Sequence, residues 1–219
     1  MISPTLNFER KLWSQGYSHI AGVDEAGRGA WAGPVVAAAV ILPQNVEIPQ
    51  GLRDSKLLTP KKREELSEQI KEIAVSFSVA EVSVLTIEKK GIATAAQMAM
   101  RKALRNLKPS PDFVLIDYFT LKYLKKSSQR AIKKGDLYCA SIAAASILAK
   151  VFRDQLMREL DSRREFEVYQ FGKHKGYGTR QHQKAIREYG VCPIHRISFV
   201  PEALLVQSAK RENQSQVQS

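Results

Sequence analysis

Residues 19–42 read HIAGVDEAGRGAWAGPVVAAAVIL, and this stretch decides the fold class. An apolar run ends in Asp24-Glu25, a glycine-rich turn follows, and a second apolar run starts at Val35. Two short apolar runs joined by such a turn predict two strands linked as a hairpin. Neighbouring residues of a strand point to opposite faces. Asp24 and Glu25 can therefore serve one site only where the strand ends and the chain turns, which Gly27 and Gly29 would permit.

Before this hairpin, residues 5–15 read as a short amphipathic helix stopped by Gly16. Beyond it, residues 43–53 are rich in turn formers, and Thr59-Pro60 opens a helix through residue 73, with Thr as cap and Pro in the first turn. Residues 74–83 alternate as a strand does, and residues 92–107 predict a helix broken by Pro109 and Pro111. FVLID (113–117) is a fully apolar strand closed by an acid, whereas 120–135 is basic and weakly patterned. Residues 139–160 predict a long helix whose small residues allow close approach to a sheet. A glycine-punctuated loop (171–178) leads to a helix over 179–190, capped by Thr179 and stopped by Gly190. Strands alternating with helices, two of them hairpin-linked, give an α/β fold with a mixed sheet covered by helices. Residues 1–204 read as one domain, and the polar stretch 205–219 reads as a disordered tail.

The 34 Lys and Arg against 22 Asp and Glu leave a net charge of +12, so the expected partner is a polyanion, nucleic acid first. No apolar run approaches the roughly 20 residues that span a bilayer, and the first residues lack a signal-peptide pattern. A cytoplasmic location without a membrane partner is the expectation, with Cys139 and Cys192 as reduced structural thiols.

The acids carry the chemistry. Asp117 closes a buried strand, where a lone carboxylate is costly unless paired or metal-bound. Asp136 lies in KKGD, just before the long helix. If these acids converge with Asp24 and Glu25, two carboxylates about 4 Å apart repel by roughly 4 kcal/mol at an effective dielectric near 20. Such a cluster holds protons or a cation, and oxygen-only ligands select Mg2+ or Mn2+ over zinc. Ordinary helix caps and ion pairs are the alternative that the pattern leaves open.

GVDEAGRGAWAGPVVAAAVIL with RDSKLLTPKKREEL, then FVLID, KKGDLYCASIAAASILAKVFRD, HKGYGT and HRISF, resembles the ribonuclease HII family in order and spacing from about residue 19 to 201. The resemblance implies an RNase H-like fold: a five-stranded mixed sheet flanked by helices, with a mostly helical C-terminal part. It implies a monomeric endonuclease that hydrolyses the RNA strand of RNA/DNA hybrids. Cutting 5′ of ribonucleotides embedded in duplex DNA, leaving a 3′-hydroxyl and a 5′-phosphate, belongs to the same expectation. The family's four acidic positions fall on Asp24, Glu25, Asp117 and Asp136, holding one or two Mg2+ or Mn2+ ions. Asp154 is a rival for the fourth place, read as a structural partner of Arg153 or a neighbouring lysine.

Gly27-Arg28-Gly29 resembles the family's GRG motif, whose backbone approaches the ribose, and Arg28 offers a fork of donors to phosphate. Tyr177 matches the tyrosine that stacks on the sugar at the RNA-to-DNA junction, and Lys56 of Asp54-Ser55-Lys56 is placed on a phosphate. Lys173, His174, Lys175, His195 and Arg196 are expected on the duplex-binding surface. Ser141 and Ser146 are expected to pack, and His182 to be unremarkable. Ala30-Trp31 stands where Pro-Leu is common, and Tyr118 where Gly is common. Neither departure removes a ligand. A junction-resolving nuclease on the same fold would not need the pairing of GRG with Tyr177.

Overall fold

The computed structural model describes residues 3–206. The elements, in chain order, begin with α1 (Asn7–Trp13), β1 (Ile20–Ala26) and β2 (Val35–Ile41). Next come α2 (Pro60–Ile73), β3 (Ser76–Val82), α3 (Val84–Lys90), α4 (Ile92–Asn106) and β4 (Phe113–Asp117). The chain continues through β5 (Gln129–Ile132), α5 (Gly135–Tyr138), α6 (Ala140–Asp161), α7 (Phe171–His174) and α8 (Arg180–Tyr189). The expected tail lies outside the described residues apart from positions 205 and 206.

The five strands form one mixed sheet in the order β3-β2-β1-β4-β5. β1 and β2 are the antiparallel hairpin that the 19–42 stretch predicts, and β4 joins β1 in parallel. All seven residues of β2 are buried, because the strand is covered on both faces. Ala37 and Ala39 meet α4 in one core, while Val36, Ala38 and Val40 meet α6 in the other. Alanines fill a central strand here because two helices press close, and larger side chains would overpack it by about 1–3 kcal/mol. α6 lies closest to β1: a Cβ on Gly22 would sit 2.1 Å from the Ser141 carbonyl carbon.

Four elements depart from the sequence reading: β5, α3 and the one-turn helices α5 and α7, the last of them inside the stretch read as a loop. The basic stretch after β4 contains β5, held because the Gln129 amide accepts from Leu121 N–H and donates to the Leu121 and Leu124 carbonyls. Its pairing to β4 is invisible to period-2 patterning because only Gln129 and Ile132 are buried. Residues 84–90 form the short helix α3, capped by Ser83 accepting from Thr86 N–H.

Candidate active site

The parallel register sets Val23 opposite Ile116, so the residues that follow, Asp24 and Asp117, come to the same end of the sheet. β1 does not stop at Glu25 but pairs with β2 as far as Ala26. Asp24 turns toward α6, where the Ser146 hydroxyl, 3.1 Å from Ser55 Oγ, favours its charged form, while Glu25, on the other face, takes Arg28 Nη1 at 3.1 Å. Both still line one groove of about 620 Å³, because the pair sits at the sheet's end. Asp117 Oδ1 accepts the Gly135 N–H at 2.6 Å, which ties β4 to the turn carrying Asp136. Asp136 is buried and receives Lys56 Nζ at 3.3 Å. Lys56 is presented by a short 3-10 turn that Asp54 caps at Lys56 N–H.

Burial pushes the Asp24 carboxyl well above its ordinary range, and the charges of Glu25 and Asp117 add to it. Burial also raises Glu25, offset by Arg28. Asp117 is raised by burial, with the Gly135 N–H opposing and the Asp136 charge reinforcing. Desolvated like charges in one groove favour either protons or a bound cation. Among the described residues no three acidic, histidine or cysteine side chains already stand as a closed metal cage. Arg28 and Lys56 lie against two of the carboxylates instead, with side chains 43% and 75% exposed and so free to move aside. The donor set itself, all carboxylate oxygen with surplus negative charge, fits a hard divalent ion.

Facing the acids are two loops joined by buried side chains. The carbonyl of Gly176 accepts from Trp31 N–H and Ala32 N–H, and Arg196 N–H donates to the Trp31 carbonyl. Arg153 is fully buried and makes no ion pair with a carboxylate among the described residues; it donates to the carbonyls of Pro34, Lys175 and Ala32 at 3.0 Å each. Arg196, equally buried, donates to those of Gly33, Gly27 and Arg28. Gly27 has φ +91°, and a Cβ there would lie 2.0 Å from Arg153 Nε, so the fold demands glycine. Gly29 differs: a Cβ there would meet nothing within 4 Å. The Tyr177 ring lines the groove with Lys150 Nζ 5.8 Å and Arg153 Cζ 5.5 Å from its centre.

Three surface assignments are corrected: His174, His195 and Arg196 are buried, not duplex-facing. His195 Nδ1 accepts the Cys192 N–H at 2.8 Å, its Nε2 lies 2.9 Å from His182 Nε2, and His182 Nδ1 lies 3.0 Å from the Tyr177 carbonyl. Since the carbonyl only accepts, His182 carries its proton on Nδ1 and receives the His195 Nε2 proton. Both rings are therefore neutral, and burial lowers them to about 3 and about 4. Lys173 is exposed and Lys175 half-buried. Asp154 is held between Lys150 at 2.6 Å and Arg63 at 3.6 Å. Ser146 packs, as expected, but its hydroxyl also favours the charged form of Asp24. Sequence reasoning missed Arg153, Lys150 and this role of Ser146. Their spacing on one helix face (146, 150, 153) was the available signal.

A five-stranded mixed sheet in this order, with helices on both faces, defines the RNase H-like class. The model of the family "Ribonuclease HII" matches residues 21–201. A "Ribonuclease HII" of Desulfitobacterium hafniense is 52% identical over 200 residues, covering 91% of this chain and 75% of that protein. The ribonuclease H2 structure from Pyrococcus horikoshii OT3 superposes with a TM-score of 0.70 at 26% identity, covering 89% of this chain and 99% of that one. A structure of Bst-RNase HIII in complex with Mn2+ shares the fold, with a TM-score of 0.64 at 20% identity over 89% of this chain and 71% of that one. The chain belongs to the ribonuclease HII family and is a nuclease with ribonuclease H activity. No helix among the described residues is long and apolar enough to cross a membrane.

Proposed function

We propose that the protein is an endonuclease that cuts the RNA strand of RNA/DNA hybrids and cuts 5′ of single ribonucleotides in duplex DNA, leaving a 3′-hydroxyl and a 5′-phosphate. Residues 1–204 act as one catalytic unit, as a monomer. The observation that carries this reading is the groove itself, which sets Asp24, Glu25 and Asp117 against Gly27, Arg28 and Tyr177. Asp24, Glu25, Asp117 and Asp136 would hold one or two Mg2+ or Mn2+ ions, and the Mn2+ complex of Bst-RNase HIII supports that choice of ion. When bound, such ions supply positive charge that activates water and stabilises the leaving oxygen.

The chain's own residues do the selecting. Gly29 brings backbone close to the ribose, whose 2′-hydroxyl both donates and accepts. Tyr177 presents one ring face to the sugar, with the cations of Lys150 and Arg153 near it. Arg28 and Lys56, with side chains 43% and 75% exposed, would turn from Glu25 and Asp136 to the phosphates beside the cut. Incubating the protein with a DNA duplex carrying one ribonucleotide, with and without Mg2+ or Mn2+, should give one metal-dependent cut on its 5′ side. Intact substrate under both metals defeats the reading. Tyr177→Ala should lose more activity on that duplex than on a long hybrid.

A further inference from the structure

We infer that the Tyr118 ring is a second stacking platform for the substrate strand, at the end of the groove opposite Tyr177. This rests on the reading of the groove as the substrate site. A second hollow of about 490 Å³ adjoins the first, and Glu25, Arg28, Lys56 and Asp117 line both. Tyr177 stands in one; Tyr118, Phe119 and Lys134 stand in the other. A polynucleotide crossing Asp117 toward the second hollow therefore passes the Tyr118 ring.

The backbone there is costly for a residue with a side chain. Phe119 N–H donates to the Asp117 carbonyl at 2.9 Å, closing a three-residue turn around Tyr118 at φ +68°. Such turns are rare and strained, and left-handed backbone suits glycine best. Tyr118 N–H donates to the Ile132 carbonyl of β5 at 2.9 Å, so the turn is pinned to the sheet. The ring is 70% exposed and has no hydrogen-bond or ring partner among the described residues. The fold thus gains nothing from it, while the turn holds it rigidly beside a carboxylate. Strain kept without an internal contact belongs at a functional site.

The surroundings fit a nucleic-acid strand and not an apolar segment. Exposed Lys134, itself at φ +58°, lines this hollow, and its chain neighbour Lys133 is exposed as well. The Arg28 guanidinium lies 5.5 Å from the Phe119 ring centre. Rings interleaved with cations track a strand by stacking its bases and pairing its phosphates.

Steady-state cleavage of the single-ribonucleotide duplex and thermal melting of Tyr118→Gly, Tyr118→Ala and Tyr118→Phe test this. Tyr118→Gly should raise KM on the order of tenfold, the size of one lost stack. Its Tm should not fall, because glycine relieves the turn, and kcat should stay within about twofold. Tyr118→Ala should share the KM defect, and Tyr118→Phe should restore wild-type KM. A Tyr118→Gly enzyme with wild-type KM, or one whose Tm falls while KM holds, overturns the proposal while wild-type cutting leaves the functional reading standing. Wild-type protein that cuts nothing with either metal overturns both.

Discussion

The two walls of the groove are built by opposite means. The acidic wall rides on β1 and β4, two short strands whose parallel register brings Asp24 and Asp117 to one end of the sheet. The recognition wall consists of loops with almost no regular structure, held because Arg153 and Arg196 spend their donors on loop carbonyls. One wall concentrates carboxylates that Arg28 and Lys56 offset only in part, and the other buries two guanidiniums that make no ion pair with a carboxylate among the described residues. The first is rigid by sheet geometry, and the second only by side chains that bridge residues far apart in sequence. Changes to the acidic wall should therefore cost activity without stability. Changes beneath the loops should cost both.

The widest separation is expected at Asp117 and Asp24. Asp117→Asn should lower kcat by about 10³-fold or more, as loss of a group that organises transition-state charge does. The metal-free fold should not suffer. A carboxyl raised by burial stabilises the protein below its unfolded pKa near 4, and that contribution is lost as pH rises through the folded value. At neutral pH the ionisable Asp24 is thus a burden, and Asp24→Asn should melt above wild type, with the gap closing below about pH 4. Mn2+ should raise the Tm of wild type and not of the variant. Differential scanning fluorimetry with and without metal checks this, and a lower Tm for Asp24→Asn would erase the contrast between the walls.

The reverse pattern is expected beneath the loops. Arg196→Ala leaves the carbonyls of Gly33 and Arg28 without the guanidinium, while that of Gly27 keeps only the Ala30 N–H. Unsatisfied buried acceptors cost about 1–3 kcal/mol each before relaxation, so a loss of about 3 kcal/mol in urea unfolding is expected, with activity falling alongside. A variant as stable as wild type would mean that the loops hold themselves.

The glycines of the turn split the recognition wall more finely. Gly27→Ala should destabilise by about 2 kcal/mol, since both its φ of +91° and the Arg153 side chain forbid a Cβ. Gly29→Ala should melt within about 0.5 kcal/mol of wild type, because the fold leaves room there. Its kcat/KM on the single-ribonucleotide duplex should nevertheless fall about tenfold, as an added methyl keeps backbone from the ribose. Equal activity losses on ribonucleotide-free branched DNA would detach Gly29 from sugar selection.

The same division governs what could be read before the fold was seen. The strand-borne wall was legible: an apolar run closed by an acid, twice, marks two strand ends in any sequence, and the glycine-rich turn marks the hairpin. The loop wall was half legible. Tyr177 and the GRG residues are visible as types, but Arg196 and His195 read as surface because Arg is mostly exposed and His often is. Nothing local distinguishes a guanidinium aimed at water from one aimed at carbonyls over 160 residues away, such as those of Gly33, Gly27 and Arg28. β5 escaped for a related reason, since its support comes from the Gln129 amide and not from alternating apolar residues.

The smallest expected effect separates the walls by the sign of their pH response. The relay from Cys192 N–H through His195 and His182 to the Tyr177 carbonyl works only with both rings neutral. A proton on the accepting Nε2 of His182 would set two N–H groups against each other. With folded values of about 3 and about 4 against an unfolded value near 6.5, the unfolded chain binds more protons between these limits. This contribution is complete above about pH 6.5 and declines as pH falls toward the folded values, opposite to that of Asp24. In wild type the two trends oppose each other near pH 5. In Asp24→Asn the opposing term is reduced, so unfolding near pH 5 should take up more protons than in wild type, with each histidine contributing about one. Calorimetry in buffers of different ionisation enthalpy measures that number. Adding His182→Gln should reduce the uptake by about one proton and loosen Tyr177, raising KM for the single-ribonucleotide duplex. If proton uptake is unchanged by His182→Gln, the buried relay does not hold the recognition wall, and rigidity there rests on the arginines alone.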